Sequence, residues 1–176
     1  TLVPTLASLP LRSFVSLRGQ WAKGGFGMEV ADLDVRLLDE QEKENFLAGS
    51  GTLKKKQEAD LKEICMFIKG MNDPRIRALC IEFIEQFGER LQRAAAARTY
   101  HHARRGGLVE HVAGMMRTAS AVCQANPELN RDLLLAGCLF HDCGKLWENC
   151  YPKEDFTMPY SEAGELLGHI PLGIEL

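Results

Sequence analysis

Apolar residues return at helical spacing in four stretches of this chain, and a chain patterned in this way has to bury stripe against stripe. Leu61, Ile64, Cys65 and Ile68 form the first stripe, and Ile76, Leu79, Cys80, Phe83, Ile84 and Phe87 the second. The third is Leu108, Val112, Met115, Ala119 and Val122, and the fourth is Leu134, Gly137, Cys138 and His141 at i, i+3, i+4 and i+7. Asp73, followed by Pro74, is a helix opening for the second; Gly88 is expected to stop it, with a further amphipathic stretch running on to Ala97. Asn130 opens the fourth. The expected fold is mainly α, a helical bundle.

The fourth stripe ends on His141-Asp142, an odd place for a charge. Burying a carboxylate costs roughly several kcal/mol unless something positive compensates it, and a metal ion is a strong candidate. Adjacent side chains on a helix diverge by about 100°, so one ion reaches both residues only in the seam near a helix end. Gly144 supplies that end, and Lys145 places a cation just past it, where a phosphate oxygen could be met. Gly137 is expected to let a neighbouring helix approach closely. His111 lies beside Val112, at the core or its edge, and His169 lies in a last helical run, SEAGELLGHI, whose continuation Pro171 strains.

Residues 12 to 38 are of another kind. Short β-rich pieces around Phe14 to Leu17, Phe26 to Val30 and Leu33 to Leu37 are separated by Gly19 and by Lys23-Gly24-Gly25, giving two or three strands. Acidic residues Glu40, Glu42 and Glu44, then Gly49-Ser50-Gly51, are expected to form a linker. The division is therefore 1–38 as a short β segment, 39–51 as linker and 52–176 as the helical domain. Ala94 to Ala97 is read as helix filler.

The net charge of −3 excludes a global basic field, so any anion site must be local. One candidate is the stretch with Arg90, Arg93, Arg98, His101, His102, Arg104 and Arg105, which holds no carboxylate between Leu91 and Val109. Six cysteines without a CxxC pair fit a reducing cytoplasmic setting without disulfides. The opening TLVPTLASLPL lacks a basic flank and is too short to span a bilayer, so neither a signal peptide nor a membrane anchor is expected. A chain that starts at Thr1 is expected to be a fragment or a processed form.

Taken together, HHARRGGLVEH, LNRDLLLAGCLFHDCGK and GELLGH resemble the HD-domain metal-dependent phosphohydrolases, and within them the YhaM-type 3′→5′ exoribonuclease branch. The resemblance runs from about Asp34 to the last residue. It implies an HD helical bundle preceded by partial OB-fold-like strands, of which Phe14 to Leu37 match only the end. It implies His111, His141 and Asp142 as metal ligands, with one or two divalent ions of Mn²⁺, Mg²⁺ or Fe²⁺. His169 matches a residue that helps hold a second ion or orient phosphate, and Lys145 one that contacts substrate phosphate or the attacking water. His101 and His102 would sit near the mouth of the site, with Arg104 or Arg105 helping to neutralise phosphoryl charge. The final aspartate ligand of the superfamily has no match after His169, so the domain is expected to be cut short.

The implied activity is hydrolysis of a phosphoester in RNA or single-stranded nucleic acid ends. Two other readings stand beside it: an HD phosphohydrolase acting on a small nucleotide, and a non-catalytic nucleic-acid-binding or regulatory HD module. No membrane partner is expected, and homo-oligomerisation through the apolar faces of the strands would be unsurprising.

Overall fold

The computed structural model describes residues 8–10, 13–24, 27–48, 51–97, 104–150 and 158–175. Two compact units emerge, residues 1–49 and 50–176.

In the first unit, β1 (Val15–Gly24) and β2 (Gly27–Leu37) pair antiparallel as one hairpin. The three β pieces of the sequence are thus two long strands. Gly19 is not a turn but the site of a bulge: the register slips between Arg18 and Gln20, and opposite it Asp32 takes a φ of 52°. Aspartate tolerates that left-handed conformation better than most residues, and an extra residue on one strand bends the pair without ending it.

The acidic stretch expected as a linker is helical over Glu40–Ala48, helix α1. Its start is a reciprocal capping box. The Glu42 N–H donates to Asp39 Oδ1 at 2.8 Å, and the Asp39 N–H donates to Glu42 Oε2 at 3.1 Å. Arg36 of β2 adds a two-pronged ion pair to the same Glu42 carboxylate, and Phe14 meets Phe46 edge-on at 5.7 Å.

The second unit is helical: α2 (Gly51–Lys69), α3 (Pro74–Arg93), α4 (Gly107–Ala125), α5 (Arg131–Phe140), and the short α6 (Lys145–Glu148), α7 (Glu162–Leu167) and α8 (His169–Ile174). Helix α4 packs against α2, α3 and α5 and is the axis of the core. Ile64, Ile68, Leu91, Leu108, Val109, Val112, Met116, Leu135 and Leu139 are almost wholly buried there. Beyond the aliphatic core, Phe83 meets Phe140 and Phe87 meets Trp147 edge-to-face at 5.1 and 5.0 Å. Asp73 caps α3 as expected, its Oδ1 accepting from the Arg75 and Ile76 N–H groups. Asn130 likewise caps α5 through the Leu133 N–H.

Several expectations change. Gly88 does not stop α3, because Leu91, one turn on, is buried, and packing outweighs the roughly 1 kcal/mol a helical glycine costs. The alanines after α3 are not helix filler. Ala94 leaves the helix with extended backbone, and Ala94, Ala95 and Ala96 run buried through the core. The Ala94 carbonyl accepts the Leu108 N–H at 3.0 Å. Small side chains let this non-helical backbone pass between helices.

The inner faces of α4 and α5 are rotated from the stripes read in the sequence. Met115 and Val122 are about two-fifths exposed, while Ala113, Met116 and Cys123 are buried. On α5, Leu134, Gly137 and His141 face an open apolar groove shared with Met115, Leu129 and Leu133, while Cys138, at the floor of that groove, is buried in the core. Among the described residues nothing lies within 4 Å of a Cβ placed on Gly137, so no described helix approaches there. All six cysteines are free thiols, and burial raises the pKa values of Cys80, Cys138 and Cys143, so these act as small apolar groups. No described helix is long and apolar enough to cross a membrane.

Candidate metal centre

The centre lies where α4, the end of α5 and the start of α8 converge. His111 comes from the second turn of α4. His141 is the C-cap of α5, and Asp142 opens the tight turn that leads into α6. Ending the helix there swings two adjacent side chains toward one point, as the spacing demanded.

His111 Nε2 and His141 Nε2 are 3.1 Å apart, and Asp142 Oδ2 is 3.5 Å from the first and 3.3 Å from the second. The His141 ring is held from behind. Its Nδ1 lies 3.0 Å from the Cys138 carbonyl, which can only accept, so Nδ1 carries the proton and Nε2 of the neutral ring presents a lone pair. Two ring nitrogens at 3.1 Å need a proton or a cation between them. Ligands bound to one ion at about 2.1 Å stand about 3.0 Å apart at right angles and about 3.4 Å apart in a tetrahedron. The observed separations fit either geometry. Among the described residues, His111, His141 and Asp142 form the group able to hold a metal ion.

Asp142 is buried and well compensated. Burial alone would push its carboxyl up, but a hydrogen bond from the His141 ring in its doubly protonated form, together with that from Lys145, outweighs this and holds it well below the usual carboxylate range. His141 is shifted upward, chiefly by its hydrogen bond to Asp142, against the opposing effect of burial. The site is therefore a pre-built anionic notch behind two imidazoles.

Lys145 stands at the site, in a tied role. Its Nζ donates to Asp142 Oδ2 at 2.9 Å and to the Ala96 carbonyl at 2.5 Å, joining the buried alanine segment to the carboxylate. His169 also reaches the centre. The run SEAGELLGHI is two helices, broken at Gly168 with φ 75°, and His169 starts α8 with Nε2 3.6 Å from Asp142 Oδ1. Pro171 lies in the first turn of α8, where no helical N–H is required, so it does not displace the histidine.

The basic cluster is mostly committed elsewhere. Arg104 donates through Nε and Nη2 to Glu110 at 3.2 and 2.7 Å. Arg90 donates to the Leu146 carbonyl and lies over the Trp147 ring, and Arg93 pairs with Glu89. Arg105 is partly buried, and that burial lowers its pKa. His101 and His102 lie outside the described residues.

Two acids that sequence reasoning did not single out are prominent. Glu110, 3% exposed, accepts from Lys56, Gln57 and Arg104. Glu148 accepts from His169 Nδ1 at 2.9 Å and from the His169 main-chain N–H at 3.1 Å. A carboxylate inside the apolar run GLVEHVAG was the available signal for Glu110; nothing in the spacing marks Glu148.

The family model of the HD domain matches residues 108–176, the segment that contributes His111, His141, Asp142 and His169. Residues 108–176 are thus similar to the HD-domain family. Proteins similar to this chain include the 3'-5' exoribonuclease YhaM of Oceanobacillus iheyensis, 34% identical over 146 residues, which are 81% of this chain and 44% of the relative. The protein of the same name from Geobacillus sp. (strain WCH70) is 35% identical over 117 residues, 66% of this chain and 35% of that relative. That of Bacillus licheniformis is 34% identical over 109 residues, 62% and 34% respectively. The chain thus spans less than half the length of these relatives. No solved structure matches it.

Proposed function

We propose that this HD domain is a divalent-metal-dependent phosphohydrolase that cleaves phosphodiester bonds at the ends of RNA or single-stranded nucleic acid. The observation that carries the proposal is the convergence of His111 Nε2, His141 Nε2 and Asp142 Oδ2 within 3.5 Å of one another. RNA is favoured as substrate because the relatives are named 3'-5' exoribonucleases. Two imidazoles and one carboxylate suit Mn²⁺ or Fe²⁺ and accommodate Mg²⁺. A cation held there would polarise a phosphoryl oxygen and acidify a water at neutral pH.

The chain's own groups supply the rest. The Cys138 carbonyl fixes the His141 tautomer so that its lone pair faces the site. Lys145 holds Asp142 in place and keeps a positive charge 2.9 Å from its carboxylate, close enough to offset charge gathering on a nearby phosphoryl group. His169 stands across Asp142 from His111 and His141, facing the other carboxylate oxygen, where it is placed to orient a phosphate or a further ion.

A small nucleotide is the second reading, favoured by the arginines: Arg90, Arg93 and Arg104 are engaged internally and so offer less to a nucleic-acid backbone. The test is hydrolysis of bis-p-nitrophenyl phosphate and of a labelled single-stranded RNA with added Mn²⁺, comparing wild type with His141→Ala and Asp142→Ala. Activity lost in both variants supports a phosphohydrolase. RNA turnover that falls steeply with salt supports the nucleic-acid reading, whereas salt-insensitive turnover restricted to nucleotides supports the second. No Mn²⁺ binding and no hydrolysis by wild type would overturn both.

A further inference from the structure

Glu148 ends α6, and its Oε1 is shared by two donors of one residue, the His169 main-chain N–H and Nδ1. The main chain makes that approach possible. The Glu148 carbonyl fills the space a Cβ on Gly164 would need, and Gly168, with φ 75°, turns the chain so that His169 meets the carboxylate with both groups. A carboxylate only accepts, so the ring proton belongs on Nδ1 and the lone pair on Nε2. That lone pair faces Asp142 Oδ1 at 3.6 Å, while Asp142 Oδ2 faces His111 and His141.

The consequence is a choice between two states of one ring. With the proton on Nε2, His169 would donate to Oδ1 and cap that oxygen. With the proton on Nδ1, Nε2 and Oδ1 are two lone-pair donors facing each other, an edge that attracts a cation. A 3.6 Å separation between ligand atoms lies close to that of the His111–Asp142 pair at 3.5 Å.

We propose that Glu148 is a positioning residue that fixes the Nδ1–H tautomer and the aim of His169, keeping the Oδ1 side of Asp142 open to a divalent cation. This role rests on the reading of the centre as a metal site, but its core, the tautomer, is a property of the metal-free protein. Glu148 acts through His169 and touches neither ion nor substrate.

The experiment is ¹⁵N-labelled NMR of the histidine side chains in the metal-free full chain at pH 8, with the His169 ring assigned from a His169→Asn variant. Wild type should show Nδ1 protonated and Nε2 bare. Glu148→Gln should keep that pattern, since its amide oxygen is oriented by the same main-chain N–H. Glu148→Ala should move His169 toward the Nε2–H tautomer that free histidine prefers. Calorimetric Mn²⁺ titration should then show affinity lowered about 10- to 100-fold in Glu148→Ala and within about threefold of wild type in Glu148→Gln. An Nε2–H tautomer in wild type overturns the proposal without any variant needing to fold, and so does an unchanged tautomer or unchanged Mn²⁺ affinity in Glu148→Ala. If the tautomers behave as stated but wild type binds no Mn²⁺, the metal reading fails, and with it the purpose assigned to Glu148.

Discussion

The carbonyl oxygen of His169 occupies the space that a Cβ on Gly144 would need. The glycine two residues after Asp142 is therefore a seat for the backbone of α8. Its φ of −60° and ψ of −18° are open to any residue, so the requirement is contact and not conformation. Gly144→Ala should push α8 away, weakening Mn²⁺ binding on the His169 side and lowering stability by about 1–3 kcal/mol, as overpacking does. Thermal denaturation with Mn²⁺ calorimetry checks this; wild-type values in both would show that α8 does not rest on Gly144.

Gly137 should respond in the opposite sense. It lies within α5 with open space around its missing Cβ. Gly137→Ala should stabilise the fold by about 0.5–1 kcal/mol through reduced backbone entropy of the unfolded chain. Denaturant unfolding is the measurement, and destabilisation would reveal an unseen close contact.

Glu110 should give the protein a defined acid limb. Burial alone would raise its pKa, but hydrogen bonds from Arg104, Gln57 and Lys56 bring it down to about 2 from 4.5. A depressed folded-state pKa contributes stability that is fully present above the unfolded value and is lost as pH falls through the folded one. The contribution is roughly 1–3 kcal/mol after allowing for the solvent-exposed lysine and arginine partners, and it should vanish between about pH 4.5 and 2. Urea midpoints from pH 7 to 2.5, compared with Glu110→Gln, should show a shallower pH dependence in the variant.

Lys145 is a strut as well as a charge. Its ammonium joins the Ala96 carbonyl to Asp142. Lys145→Met should therefore destabilise the metal-free protein by about 1–3 kcal/mol, the range for hydrogen bonds to charged groups. A lysine reserved for substrate phosphate would leave metal-free stability unchanged, so one melting curve separates the two roles.

Much of the helical architecture was legible because burial writes periodic stripes, and the caps at Asp73 and Asn130 follow from local chemistry; the end of α5 was not, for the helix stops at Phe140 and Gly144, expected to end it, instead precedes α6. The His141-Asp142 pair was legible because a charge at the end of an apolar run needs a partner. What could not be read was pairing across distance. Arg90, Arg93 and Arg104 looked like a basic face because the window from Leu91 to Val109 holds no carboxylate, yet Glu89 and Glu110, just outside it, take up two of them. Acidity at Glu40 to Glu44 suggested a linker, whereas Asp39 and Glu42 are the two halves of a capping box. The rotation of the α4 and α5 faces depends on where neighbouring helices lie, which no single stripe records.

Apart from the His169 ring, the α7–α8 segment makes its close contacts with the rest of the domain through its backbone: the Glu148 carbonyl lies against Gly164, the His169 carbonyl against Gly144, and the Gly173 backbone against Cys143 and Gly144. Its larger side chains point outward, with Leu166 77% and Ile174 80% exposed. Mutational freedom here should therefore be split: the outward lettering of the segment can drift widely, while His169 and the few positions without side chains cannot. A deep mutational scan would then show a tolerant stretch punctuated by isolated vetoes at His169 and at its glycines, with the route of the main chain as the constrained trait.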